Sequence, residues 1–254
     1  MTEITEKPDI AAMLAQTAKL SAEQMLTWAA ERFGQRVAFA SSLGAEDQVL
    51  TDMLARVGAK LAIFTLDTGR LPQETYDVLA ATRERYGLKI EVLFPQAAQV
   101  EQLMTSRGPN SFRESVEERK LCCHIRKVLP LRRRLAGLDA WITGLRREQA
   151  ATRTLLARVE WDTANGLLKI NPLADWSAEE VWTYIRGNDV PYNALHDRGY
   201  PSIGCAPCTR AVAAGEDIRA GRWWWESPVH KECGLHVADG KLVPPKGPTR
   251  EQIR

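Results

Sequence analysis

Apolar residues recur along the first hundred positions in two alternating rhythms. Residues 36–40, 60–66 and 88–94 are short runs of mostly apolar residues, the pattern of buried strands. Between the first two, Val49, Leu50, Met53, Leu54 and Val57 fall at helical spacing and predict a helix with one buried face. Ser21 with Gln24 has the capping-box pattern for an earlier helix, which carries Met25, Leu26 and Ala29 on one side and stops at Gly34. Pro72 suits the first turn of the helix after the second strand, and Gly87 ends that helix.

Further along, Ser115 with Glu118 predicts another capping box, opening a helix that carries Cys122 and Cys123 and is limited or kinked at Pro130. Residues 140–144 and 167–171 read as a fourth and a fifth strand. Ser177 with Glu180 caps a helix bearing Val181, Trp182 and Ile185. This alternation predicts an α/β fold, Rossmann-like, with a mostly parallel central sheet, flanking helices and a ligand at the carboxyl ends of the strands. Two parts are expected: a nucleotide-binding domain over residues 1–222, and a mobile C-terminal segment over 223–254, where Gly and Pro accumulate after Trp223-Trp224-Trp225.

Composition narrows the partners. With 44% hydrophobic and 26% charged residues the chain has the make-up of a soluble globular protein. The 34 basic residues exceed the 32 acidic ones by only two, so no overall polyanion-binding surface is implied and nucleic acid is not an expected partner. No apolar run is long enough to span a membrane, and residues 1–9 lack the make-up of a secretory signal, so a cytoplasmic location is expected. A homo-oligomer is allowed by all of this but not specified.

In a reducing compartment, five cysteines in close groups point to metal binding or catalysis rather than to disulfides. Two adjoin in Leu121-Cys122-Cys123-His124-Ile125-Arg126-Lys127, and two form Cys205-Ala206-Pro207-Cys208. Four thiols are the number required by a [4Fe–4S] cluster or a structural zinc ion. Zinc sites draw ligand pairs from C-x(2–4)-C spacing, and neighbours on a helix diverge by about 100°, so the adjacent pair suits a wide multi-iron centre better than one ion. Cys233 has no neighbouring cysteine and stands three residues before His236 in Glu232-Cys233-Gly234-Leu235-His236, which makes it a candidate nucleophile with His236, Lys231, Arg219 and Arg222 as groups that could ionise it. The turn at residues 41–47, between strand and helix, offers backbone N–H groups to a phosphate. No Gly-Lys-Ser/Thr follows, and Glu46 with Asp47 would repel a triphosphate. Arg126, Lys127, Arg146, Arg147, Arg153, Arg219 and Arg222 could converge on a small anion such as phosphate or sulfate.

Four motifs in order, Cys122-Cys123, Gly144-Leu145-Arg146-Arg147-Glu148-Gln149, Gly204-Cys205-Ala206-Pro207-Cys208-Thr209-Arg210 and Glu232-Cys233-Gly234-Leu235-His236, closely resemble the assimilatory adenylyl-sulfate reductases of the phosphoadenylyl-sulfate/adenylyl-sulfate reductase family. The resemblance runs from about Arg36 to His236 and implies an adenine-nucleotide α-hydrolase-like fold. It implies that Cys122, Cys123, Cys205 and Cys208 hold one [4Fe–4S] cluster, that Cys233 is the nucleophile, and that Lys127 lies between cluster and substrate sulfate. Arg219 and Arg222 match arginines that hold the phosphosulfate. Ser41, Ser42 and the loop Leu66, Asp67, Thr68, Gly69 and Arg70 match nucleotide-contacting loops, while Arg146 and Arg153 are further substrate-binding candidates. The implied activity is thioredoxin-dependent reduction of adenosine 5′-phosphosulfate to sulfite and AMP through an enzyme S-sulfocysteine, a step of sulfate assimilation toward cysteine. Two other classes compete: an adenylyltransferase or pyrophosphatase of the same fold with structural zinc, and a nucleotide-binding module without catalysis.

Overall fold

A computed structural model of the protein describes residues 8–149, 153 and 155–226. Its sheet contains six strands in the order β3-β2-β1-β4-β6-β5. These are β1 (Val37–Ala40), β2 (Ala62–Leu66), β3 (Ile90–Leu93), β4 (Ala140–Ile142), β5 (Val159–Asp162) and β6 (Leu167–Ile170). Five of them run parallel, and the edge strand β5 pairs antiparallel with β6. The mostly parallel α/β architecture expected from the alternation is therefore present.

Strand residues divide between the two faces with a period of two. Val37 and Phe39 of β1 and Ala140 and Ile142 of β4 join the larger core, packed with α2 (Ala22–Phe33), α3 (Ala45–Val57) and α8 (Ala178–Gly187). Ala38 and Trp141 face the other way, onto Leu131 and Leu135 of α7 (Leu129–Leu135). Burial on both faces is why these strands read as continuous apolar runs, and each fully buried large side chain such as Phe39 contributes about 1.5–3 kcal/mol.

Local signals set most element ends. Both oxygens of the Ser21/Gln24 box engage, as do those of Ser177/Glu180. Gly87 caps α4 (Gln73–Tyr86) in the left-handed conformation. Pro72 departs from expectation by one place: it is extended (ψ 154°) and precedes the helix instead of lying in its first turn. At Ser115 only half of the box forms, because the Glu118 carboxylate turns to Arg107 of α5 (Ala97–Arg107) instead of to the Ser115 N–H. The kink expected at Pro130 is replaced by a π-helical turn at His124–Val128, joining α6 (Val116–Cys123) to α7, with Pro130 accommodated in the first turn of α7. The predicted fourth strand stops at Ile142, two residues early, and Thr143 and Gly144 enter the site instead. α1 (Ile10–Thr17), α5 and β5 have no counterpart among the elements expected from the apolar pattern.

Trp223 to Glu226, the beginning of the expected C-terminal segment, pack on the domain. Trp223 is buried, Trp225 lies against Phe112, and Glu226 pairs with Arg119. Residues 227–254 lie outside the described residues.

Candidate active site

The sheet order reverses between β1 and β4, and a cleft of about 280 Å³ opens at the carboxyl ends of these two strands. One wall is the turn from β1 into α3. The Asp47 carboxylate organises it, since its Oδ2 accepts from both the N–H and the hydroxyl of Ser42, each at 2.6 Å, and its Oδ1 accepts from the N–H of Gly144 at 3.1 Å. One buried side chain thus ties the β1 loop to the β4 loop. Burial pushes the Asp47 carboxyl up to about 6, and its hydrogen bonds to Ser42 work against that rise. Within this ring Leu43 is buried with a positive φ of 60°, a conformation that costs a non-glycine residue roughly 1–3 kcal/mol and persists only where surroundings enforce it. Gly44 caps α3 without a side-chain hydrogen bond, so the first-turn N–H groups of that helix remain for an anion.

The opposite wall brings Thr143, Gly144 and Arg146 together with Arg219 and Arg222 from the turn-rich region. Arg146 is buried and donates to Glu46 at 2.9 Å and to the Trp176 carbonyl at 3.1 Å. Arg153 lines the same cleft and donates to Gln149 at 2.6 Å. Arg222 lies over the Trp223 ring, 4.8 Å from its centroid, and its guanidinium is so close to Gly204 that a Cβ there would fall 2.3 Å from Nη2. His196 is half-buried on this wall beside Trp182, and burial lowers its pKa, so it is neutral near pH 7.

Beside the cleft lies a second, smaller cavity, lined by all four of Cys122, Cys123, Cys205 and Cys208. Phe112 and Trp223 form an apolar surround for it. Burial is the main cause raising the Cys122 and Cys208 thiols, the latter to about 12, so these sulfurs ionise near neutrality only beside a compensating cation such as a metal. Among the described residues no three His, Cys, Asp or Glu side chains converge on one point as a single ion would require. The donors are instead spread around a shared cavity. Arg126 Nε and Trp225 Nε1, packed close to these cysteines, are buried donors without a partner among the described residues. Four soft sulfurs, an apolar surround and unspent N–H groups suit an iron–sulfur cluster with its acceptor sulfides.

The two cavities share a wall. Lys127, on the π-helical turn, lines both of them. Thr68 lines the cleft while its hydroxyl lies 3.2 Å from Cys205 Sγ and its carbonyl accepts from Arg126 Nη1 at 2.7 Å. The loop after β2 therefore divides. Leu66 and Thr68 face the cleft; the Asp67 carboxylate is taken up by the Gly69 N–H at 2.7 Å and the Tyr76 hydroxyl at 3.1 Å; and Arg70 turns to the cysteine cavity, 4.8 Å from the Phe112 ring centroid. Gly69 adopts φ 69° against Arg126. Of the basic residues that could have converged on an anion, Lys127, Arg146, Arg153, Arg219 and Arg222 line the cleft. Arg126 faces the cysteines, and Arg147 pairs with Asp175 at the surface. Cys233 and His236 lie outside the described residues. The roles of Asp47, Gly144 and Gly204 in the walls were not foreseen, because each depends on a distant partner, Asp47 and Gly144 on one another across 97 positions and Gly204 on Arg222.

A parallel-sheet cleft at the switch point, floored by a helix N-terminus and walled by arginines, defines a nucleotide- or anion-binding α/β protein, here joined to a four-cysteine centre. The particular family follows from comparison: residues 36–211 match the phosphoadenosine phosphosulfate reductase domain, and the chain belongs to that family, whose members are oxidoreductases acting on a sulfur group. It is 51% identical over 236 residues to the adenosine 5′-phosphosulfate reductase of Allochromatium vinosum, covering 93% of this chain and 91% of that one. The corresponding protein of Burkholderia cepacia is 55% identical over 209 residues, or 82% of this chain and 84% of its own. Among solved structures, the phosphoadenylyl-sulfate reductase of Candida auris in a phosphate complex superposes with a TM-score of 0.69 at 28% identity, covering 80% of this chain and 96% of that one. Yeast FAD synthetase shares the fold at a TM-score of 0.52 and 16% identity, with 82% of this chain and 70% of that one covered.

Proposed function

We propose that this protein reduces adenosine 5′-phosphosulfate to sulfite and AMP, with thioredoxin as the electron donor, in sulfate assimilation toward cysteine. The observation that carries the reading is Lys127, a cation in the wall common to an anion-binding nucleotide cleft and a four-cysteine cavity. The names of the relatives at 51% and 55% identity support the choice of substrate.

The Cys233 thiolate attacks the sulfur of the sulfate group. The S–O bond to the phosphate breaks, AMP leaves with that electron pair, and the sulfonate stays on Cys233 as S-sulfocysteine. Both partners are anions, so the step is slow unless fixed cations offset the charge that gathers on sulfate and leaving phosphate. Lys127, Arg219 and Arg222 supply them in a cleft where no solvent reorganisation is needed. Ser41 and the start of α3 hold the phosphate, Ser42 shapes their turn through its two bonds to Asp47, and Leu66 and Thr68 complete the nucleotide wall. Arg146 acts through Glu46, fixing the loop, and His236 stands close enough in sequence to assist ionisation of Cys233. A thiolate of thioredoxin then attacks Cys233 Sγ and sulfite departs. The second thioredoxin thiol resolves the mixed disulfide, so the two electrons come from that dithiol.

Cys122, Cys123, Cys205 and Cys208 would hold the [4Fe–4S] cluster. When bound, it supplies fixed charge and rigidity beside Lys127 and needs no change of oxidation state. Sulfite release assayed with adenosine 5′-phosphosulfate and with its 3′-phosphorylated form, with and without thioredoxin, tests the reading. Turnover of the first substrate only in the presence of the dithiol is expected; ATP turnover without thiol would favour the adenylyltransferase class instead. Anaerobically purified protein should carry about four iron and four sulfide per chain, and zinc in their place would refute the cluster.

The two loops of the cleft provide a further test. A Cβ at Gly144 would lie 2.3 Å from Asp47 Oδ1 and 3.1 Å from the Asp47 N. Gly144→Ala should therefore separate the loops, weakening AMP binding by about tenfold or more and lowering stability by about 1–3 kcal/mol. Calorimetric titration with AMP and a urea denaturation midpoint measure the two effects.

A further inference from the structure

Arg222 is fixed in the cleft by packing far more than by hydrogen bonds. The residue is only 8% exposed. Among the described residues its guanidinium makes one long side-chain bond, from Nη1 to the Ser202 hydroxyl at 3.4 Å, and its buried Nε has no partner. Two surfaces hold it instead. One is the Trp223 indole, whose ring centroid lies 4.8 Å from the guanidinium carbon. The other is the backbone at Gly204, where a Cβ would fall 2.3 Å from Nη2 and 2.6 Å from the guanidinium carbon.

These two walls are braced against each other. Thr209 pairs with Arg222 in an isolated antiparallel bridge, and the Thr209 hydroxyl accepts from the Gly204 N–H at 3.1 Å. The Trp223 N–H donates to the Cys208 carbonyl at 3.2 Å. A second guanidinium, that of Arg119, lies 4.5 Å from the same ring centroid and is itself fixed by a two-pronged pair with Glu226, at 2.7 and 2.8 Å. Trp223 adopts a positive φ of 40°, a conformation that persists only where the surroundings over-determine it.

A guanidinium carries its N–H donors in its plane and none on its faces. Packing against a ring and a bare backbone therefore fixes the charge without spending the donors, and a buried donor left unspent costs free energy until a ligand takes it. Gly204, Arg222 and Trp223 all line the nucleotide cleft, while Arg119 lines the cysteine cavity. We propose that Gly204 and Trp223 form a slot that aims Arg222 at the phosphosulfate, with Arg119 bracing the ring from the side of the cysteine cavity. Gly204, Trp223 and Arg119 are positioning residues, acting through Arg222. This inference deepens the reading of the cleft as the substrate site and rests on it.

A slot of this kind requires Gly204→Ala to act only through Arg222. In the full-length, cluster-loaded protein, Gly204→Ala should lower kcat/KM for sulfite release from adenosine 5′-phosphosulfate by about 100-fold, as Arg222→Ala does, since either change takes a fixed cation away from the developing charge. Arg222→Ala also empties the space that the new methyl group needs. Gly204→Ala added to Arg222→Ala should therefore cost no more than about threefold beyond Arg222→Ala alone. Iron content and the urea midpoint are measured in parallel. Additive losses in the double variant would make Gly204 a glycine of the fold alone and overturn the slot, as would a wild-type kcat/KM in Gly204→Ala. If Gly204→Ala does not fold or loses iron, Trp223→Leu is read in the same cycle against Arg222→Ala: a cost that vanishes beside Arg222→Ala supports the slot, and an additive one overturns it. Absence of sulfite release by the wild-type chain overturns instead the reading of the substrate, and the role of the slot falls with it.

Discussion

Replacing Cys233 with serine will abolish sulfite release while AMP still binds. The other four thiols cannot substitute for it. Cys122, Cys123, Cys205 and Cys208 line one shared cavity, and burial holds the Cys208 thiol near 12, far from the range where a thiolate exists at neutral pH. Cys233 is the only cysteine outside that set. A serine hydroxyl lacks both the acidity and the nucleophilicity for attack on sulfate sulfur, so turnover should drop on the order of 10³-fold or more. Mass spectrometry of the protein after incubation with adenosine 5′-phosphosulfate, without reductant, should show a sulfite adduct on the wild-type chain and none on Cys233→Ser. An adduct on the variant would move the nucleophile to one of the four cysteines of the cavity.

Lys127→Ala should separate catalysis from assembly. The ammonium belongs to the wall shared by the two cavities, lining the cleft on one side and the cysteine cavity on the other. Its carrier is the π-helical turn at His124–Val128, whose extra residue per turn redirects the side chains that follow the cysteine pair. Loss of the cation removes stabilisation from a transition state richer in local negative charge than the bound substrate, which should lower kcat by about 100-fold. Iron content should stay at the wild-type level, because Lys127 supplies no sulfur ligand. Lys127→Arg should recover part of the rate, since the charge returns without the same reach. A Lys127→Ala variant with wild-type kcat and depleted iron would make this lysine a support of the metal centre and not of the reaction.

The site joins features with different structural origins. The cleft is a property of the doubly wound sheet, fixed where β4 returns to the far side of β1. The cysteine centre is assembled from α6 and from the turn-rich region after Asn188, the latter tied to the loop after β2 by the Ala206 N–H donating to the Arg70 carbonyl at 2.8 Å. Loop Leu66–Arg70 belongs to both, which is why its residues do not share one role. Thr68 touches the cleft and Cys205, whereas Asp67 serves the loop's own hydrogen bonds.

What the amino-acid sequence determined by itself was local or compositional. Apolar runs at 36–40, 60–66 and 88–94 located the first three strands, since a strand buried on both faces must be apolar throughout. Ser21, Gly87 and Ser177 marked helix ends, because caps satisfy backbone groups within a few residues. The count and grouping of the cysteines separated four candidate ligands from one candidate nucleophile. Tertiary structure alone decided the rest. β5 is an edge strand whose pairing with β6 rests on a hairpin, not on a continuous apolar run, and α1 gains its stability from packing against the core. That Glu118 leaves its own helix cap for Arg107, that Asp47 reaches Gly144 across 97 positions, and that Glu226 returns to Arg119 across 107 are choices between distant partners. No window of sequence contains both sides of such a choice; the fold makes it, by bringing a buried charge within reach of the donor that desolvation obliges it to find.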